Sequence, residues 1–189
     1  DQTRIMKEGL VFLGPPASGK GTQGRRLAEA DGLAYLSTGA LLRRALSDDT
    51  DLGKKARPFL DRGGFVPDEI VVPMVIDWVS NQEGGWLVER KPKAIVLHVP
   101  DEELRKRVVC RLECADCHRV SREGEGSTCP KCQGELIPRE DDSSEKFERR
   151  LTEFRRQVLP TIQYYCDRDR ARIVNGMGSP DEVWVRVRG

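Results

Sequence analysis

Two constellations in this sequence have the residue types and spacing for chemistry. The first is Gly14-Pro15-Pro16-Ala17-Ser18-Gly19-Lys20-Gly21-Thr22. Successive backbone N–H groups of such a loop curl around phosphate oxygens, glycines let the main chain come close, and Lys20 adds a point charge for the outer phosphates. Gly21 separates Lys20 from the hydroxyl of Thr22, so the loop is a variant of the common pattern. The competing reading is a glycine-rich turn ahead of a helix. It is the weaker one, because the apolar run Leu10-Val11-Phe12-Leu13 precedes the loop as a strand and residues 23–30 follow it as a helix. That is the setting a phosphate loop needs.

The second constellation is two cysteine pairs, Cys114-x-x-Cys117 and Cys129-x-x-Cys132, separated by eleven residues. They supply four thiolates for a tetrahedral zinc ion at ~2.3 Å each, and four ligands leave no open coordination position, so the metal is expected to be structural. Thiolates can also hold an iron–sulfur centre. Zinc is preferred because paired knuckles in a small insert are its usual signature. Cys110 and Cys166 are left over and are expected as buried thiols, and His118, beside a ligand, is a weak substitute.

The elements that must position these groups read as alternating strands and helices. After the polar residues 1–8 and the first strand and helix, residues 33–36 read as a short strand. Ser37 or Thr38 then caps a helix through residue 46. A helix over 52–60 is stopped by Gly63-Gly64, and Asp68 is placed to cap the next. There Ile70, Val71, Met74, Val75, Trp78 and Val79 recur at helical spacing as a core face, with Pro73 as a bend. Residues 86–88 and 94–99 read as buried strands, with His98 as a core histidine. Acidic residues open a helix after Pro100. Composition shifts to cysteine, glycine and charge over 110–142, which marks an insert. A long helix over 144–165 carries Phe147, Leu151, Phe154, Val158, Ile162 and Tyr165 inward, kinked at Pro160. A strand over 171–174 and a helix over 181–188 close the chain. Such alternation implies a parallel sheet with helices on both faces.

Length and charge narrow the function classes. The chain has 189 residues, enough for one domain with small inserts. Charged residues make up 33% but the net charge is +1, which argues against a broad nucleic-acid surface. No apolar run approaches the ~20 residues of a membrane span. The polar start, without the apolar core of a leader, makes a cytoplasmic location the expectation, and six cysteines there favour metal over disulfides.

Taken together, the motifs resemble the adenylate kinase family. The resemblance rests on Gly14 through Gln23, on Leu36-Ser37-Thr38-Gly39-Ala40-Leu41-Leu42-Arg43, and on Phe65-Val66-Pro67-Asp68-Glu69. It continues through Arg107-Val108-Val109-Cys110-Arg111, the four cysteines, and Gly134 through Asp142. Arg150-Leu151 and Pro160 with Tyr164-Tyr165 complete it, in order and over nearly the whole chain. The resemblance implies an α/β fold of the P-loop kinase type, a three-layer parallel sheet with helices on both faces and a small zinc-ribbon lid. It implies a core over 1–37, 68–110 and 143–189, an AMP-binding part over 38–67 and a lid over 111–142. The implied reaction is ATP + AMP to 2 ADP with Mg2+, by a monomer that acts on small nucleotides and binds neither nucleic acid nor membrane.

In family terms ATP is held by Ala17, Ser18, Gly19, Lys20, Gly21, Thr22, Arg107, Arg111 and Gly178. AMP is held by Thr38, Gly39, Arg43, Gly64, Phe65, Val66, Arg139 and Arg150. Lys20, Arg111, Arg139 and Arg150 are the implied catalytic set. Arginine suits phosphoryl transfer because its planar fork donates in pairs, and the reaction asks for alignment and charge neutralisation rather than a general base. Asp141 and Asp142 could support the arginines or magnesium waters, or form a solvated face with Asp142 capping the last helix.

The sequence also departs from the pattern. After residues 85–88 the family continues with Asp-Gly-Phe-Pro-Arg-Thr and a helix, a stretch that touches magnesium and AMP. Here Val88 is followed by Glu89-Arg90-Lys91-Pro92-Lys93. Two parallel strands of one sheet need a crossover of ~10–12 residues or more, so a further segment is expected between Val88 and Glu89. Ala40 replaces an aspartate and Ala17 the usual glycine. The alternative functions are a kinase for another nucleoside monophosphate, and a zinc-containing nucleotide-binding protein inactive for want of that segment.

Overall fold

In a computed structural model of the chain, residues 9–81, 92–122, 126–139 and 142–189 are described. Expectations that fall on 1–8, on the strand at 86–88, on the Val88–Glu89 junction and on Asp141 lie outside them.

Three parallel strands form the core sheet in the order β1-β2-β6: β1 (Leu10–Leu13), β2 (Lys93–His98) and β6 (Ala171–Asn175). Leu13 pairs with Val96 and Val96 with Ile173, so all three strands deliver their C-terminal ends to the same edge. β2 is the centre, and Ala94 through Leu97 are all buried. A central parallel strand is covered on both faces and therefore reads as an unbroken apolar run rather than an alternating one. Ile95 and Leu97 pack with Leu27 of α1 (Lys20–Asp31) and with Val183 and Val187 of α8 (Pro180–Arg188). α7 (Leu159–Cys166) packs on β2 and β6. A second cluster gathers Val99, Leu104 and Val108 with Phe147, Leu151 and Phe154. Phe147 and Leu151 are almost wholly buried, and each contributes about 1.5–3 kcal/mol of apolar burial. α5 (Asp101–Val109) and α6 (Ser144–Glu153) supply that cluster.

Between β1 and β2 the chain forms α2 (Thr38–Ser47), α3 (Asp51–Asp61) and α4 (Asp68–Ser80). Ser37 caps α2 by accepting from the Ala40 N–H, and Thr50 caps α3. Gly63, at φ 69°, stops α3 as expected. The insert is a three-stranded antiparallel sheet, β4 (Val120–Arg122), β3 (Arg111–Cys114) and β5 (Leu136–Pro138), with β3 in the middle.

Several expectations need correction. Residues 33–36 are not a strand: a strand exists only through a ladder partner, and none of the described strands pairs there. Asp68 does not cap α4. It is the first helical residue, and Pro67 stands at the cap without a side-chain bond. The apolar stripe of α4 does turn inward, but its residues are half-buried and none is fully buried. His98 is exposed at the end of β2, and Cys110 is exposed while Cys166 is half-buried. Ser143, not Asp142, caps α6. The long C-terminal helix is three pieces, α6, a π turn over Phe154–Val158, and α7. Pro160 lacks an N–H and its ring crowds the preceding turn, so the helix widens just ahead of it.

Candidate active site

The loop between β1 and α1 lies at the C-terminal edge of the sheet, the edge at which open α/β sheets bind ligands. Gly14 opens it at φ 148°. A Cβ there would stand 2.8 Å from the Leu97 carbonyl oxygen, so the turn excludes any larger residue. Gly19 caps α1 in the left-handed region without a side-chain bond, which leaves the first N–H groups of the helix for an anion. Ser18 is buried, and its Oγ has no hydrogen-bond partner among the described residues. Ala17 also sits in the left-handed region, at φ 63°. An L-residue pays about 1–2 kcal/mol there, the physical reason that glycine is the usual choice.

Lys20 folds back over this loop. Its Nζ donates to the carbonyl oxygens of Gly14 and Pro15 at 2.7 Å each. Burial pushes its pKa down from 10.5 to about 7, helped by the positive charges of Arg150, Arg111 and Arg139. Part of the side chain still meets solvent. The three arginines expected to act with Lys20 are therefore near enough for their charge to be felt at its ammonium, as in a site built for a polyanion.

Two buried carboxylates hold the arginines. Asp142, with a side chain 6% exposed, accepts both fork nitrogens of Arg111, one of them at 2.6 Å, and lies 3.4 Å from Nη1 of Arg150. Of the roles open to Asp142, support of the arginines is the one its contacts match. Glu113 accepts from Nε of Arg43 at 3.0 Å and stands 3.0 Å from Nε of Arg139. Glu113 was not singled out in the sequence. Its signal was a lone acid between Leu112 and Cys114 in a short strand, too weak to act on without knowing what faces it.

The remaining expected residues take these places. Arg107 of α5 donates from Nε to Glu103 at 2.8 Å and from Nη2 to the Gly176 carbonyl at 2.9 Å. That ties it to the loop carrying Gly178, where a Cβ would meet the Glu182 carboxylate at 2.5 Å. Gly21 and Thr22 are exposed in the first turn of α1. Thr38 and Gly39 begin α2 one turn before Arg43, and Gly64, Phe65 and Val66 are half-buried between α3 and α4. A separate cavity of about 310 Å³ opens at the N-terminal ends of the three strands, lined by Leu10, Lys93, Ala171 and Arg188 among others. It lies at the opposite end of the sheet and holds none of these residues.

The sulfur atoms of Cys114, Cys117, Cys129 and Cys132 all lie within 4.8 Å of one another. Two cross-knuckle pairs are 3.4 and 3.5 Å apart. Four sulfurs at ~2.3 Å from a tetrahedral zinc stand a little under 4 Å apart, so the donor set fits that ion. His118 points its Nδ1 at Glu113, 3.0 Å away, and is not in the cluster. Among the described residues no helix is long and apolar enough to cross a membrane.

A phosphate loop at the carboxyl edge of a parallel sheet, facing clustered arginines, defines a P-loop phosphotransferase. The family model described as adenylate kinase matches residues 12–170. The chain is 36% identical over 206 residues to an adenylate kinase of Thermodesulfovibrio yellowstonii, covering 94% of this chain and 96% of the relative. It is 32% identical over 206 residues to one of Archaeoglobus fulgidus (94% and 95% covered). It is 34% identical over 200 residues to one of Chlamydia felis (94% of each). The chain belongs to the adenylate kinase family. Its reaction is that of a nucleoside monophosphate kinase, ATP + AMP to 2 ADP.

Proposed function

We propose that Lys20, Arg111, Arg139 and Arg150 carry the phosphoryl transfer. The observation that supports this most is the fold of Lys20 over the phosphate loop, its Nζ on the Gly14 and Pro15 carbonyls, with Arg150, Arg111 and Arg139 close enough for their charge to add to the effect of burial on it. Residues 17–22 with Arg107, Arg111 and Gly178 take ATP. Thr38, Gly39, Arg43 and 64–66, with Arg139 and Arg150, take AMP. The chain then acts by holding donor and acceptor in line, neutralising charge on the equatorial oxygens and keeping water out. No side chain is asked to remove a proton. Adenylate kinases use Mg2+ with ATP. In this chain the Thr22 hydroxyl is the loop oxygen that would be offered to that ion.

Residues 111–142 act as the lid and 38–67 as the AMP-binding part, against a core of the remaining residues. Zinc on the four cysteines fastens the lid sheet and takes no part in the reaction. The protein works as a cytoplasmic monomer on free nucleotides, without nucleic acid or membrane. ADP formation from ATP and each of AMP, CMP, UMP and GMP tests the reading. AMP should be the best acceptor, and Lys20→Met should cut turnover about 10²–10³-fold, as loss of a transition-state charge contact does. Faster turnover with another monophosphate would make the chain a kinase for that base. ATP binding without ADP formation would make it a nucleotide-binding protein.

A further inference from the structure

Glu113 is a buried carboxylate to which the expected mechanism gives no task. It lies on β3, between Arg111 and the first cysteine of the first knuckle, and its side chain is 6% exposed. Oε1 accepts from Nε of Arg43 on α2 and stands 3.0 Å from Nδ1 of His118. Oε2 stands 3.0 Å from Nε of Arg139, whose side chain is 8% exposed, as an ion pair without the alignment of a hydrogen bond. One carboxylate thereby joins the AMP-side helix, the chain leaving β5, and the residue that follows the first knuckle.

A charge this deep is held only by opposite charge and hydrogen bonds. The geometry of the contact says more. Arg43 is met at Nε, the root of its guanidinium. Contact there fixes the plane of the group and leaves its two terminal nitrogens to donate a fork, the arrangement that suits phosphate. The link is also long-range: Arg43 and Glu113 are 70 residues apart in sequence, on two different parts of the molecule.

We infer that Glu113 is a positioning residue, whose carboxylate sets the plane of Arg43 for the acceptor monophosphate, balances the charge of Arg139 and ties that setting to the lid. The inference rests on the acceptor site proposed above. It makes Glu113 a partner of AMP binding rather than a rival for the same arginines. A carboxylate that merely stood in the phosphate position would have to leave before AMP could enter, and its removal would tighten binding.

Glu113→Gln keeps the shape and removes the charge. Calorimetric titration with AMP and with ATP, alongside steady-state kinetics, reads the effect. Loss of a charge-assisted hydrogen bond should raise Kd and KM for AMP about tenfold. The values for ATP should stay within about twofold, since ATP lies on other residues, and the zinc content should not change. Glu113→Asp, which keeps the charge on a shorter arm, should recover part of the AMP affinity, and it carries the same test if Glu113→Gln fails to fold. Unchanged or tighter AMP binding would overturn the inference, as would an equal loss for ATP and AMP. A wild-type chain that binds no AMP would instead refute the acceptor site itself, and the inference with it.

Discussion

Replacing Lys20 with methionine should stabilise the nucleotide-free protein near neutral pH while removing its activity. The native fold lowers the Lys20 pKa from 10.5 to about 7, chiefly by burial and then by three arginines. Unfolded, the lysine keeps its proton up to about pH 10.5, whereas folded it releases it near 7. Between those values the unfolded chain holds more protons, so native stability rises with pH across that window and the charged lysine is a burden below it. At about 1.4 kcal/mol per pH unit the ceiling on this burden is roughly 5 kcal/mol. Solvent at the partly exposed side chain, and the lost hydrogen bonds to Gly14 and Pro15, should reduce the net gain to about 1–3 kcal/mol. Urea unfolding of both proteins at pH 7 should show a higher midpoint for the variant at unchanged slope. The corresponding rise in Tm is about 2–4 °C per kcal/mol for a chain of this size. The gain should shrink as pH rises toward 10. A variant no more stable than the wild type at pH 7, or a gain that ignores pH, would refute the charge reasoning.

Other perturbations follow from the same geometry. Asp142→Asn leaves Arg111 and Arg150 without their buried counter-charge, so stability should fall by about 2–4 kcal/mol without nucleotide. Bound ATP should restore much of that loss by supplying phosphate charge, so a nucleotide-induced Tm rise no larger than the wild type's would contradict it. Removing the metal with a chelator under reducing conditions should lower Tm and open residues 111–138 to proteolysis, because four thiolate bonds contribute folding energy. An unchanged melting curve after verified metal loss would count against a structural zinc.

What the sequence made legible was mostly local. The phosphate loop declares itself because glycine, lysine and the flanking strand and helix sit within a few residues, and the cysteine knuckles because their spacing is dictated by one ion. Caps at Ser37 and the glycine stop at Gly63 are local in the same sense. The strand read at 33–36 fails because a strand is a relation between segments, and composition alone cannot supply the partner. The π turn before Pro160 was visible only as a kink, since the widened turn depends on how the helix relieves the proline. Glu113 stayed silent for the plainest reason: Arg43 and Arg139 come to it only through the fold. His98 shows the opposite error, an apolar neighbourhood in sequence that ends at an exposed strand terminus.

The central claim is tested most directly by following all three adenine nucleotides at once, by chromatography, on a chain verified at 21.3 kDa and supplied with ATP, AMP and Mg2+. Two ADP formed for each AMP consumed, with the reverse reaction from ADP alone and both slowed about 10²–10³-fold in Lys20→Met, is the result expected of a working adenylate kinase. Nucleotide binding with no ADP formed, from a chain of that mass with its fold intact, would contradict it.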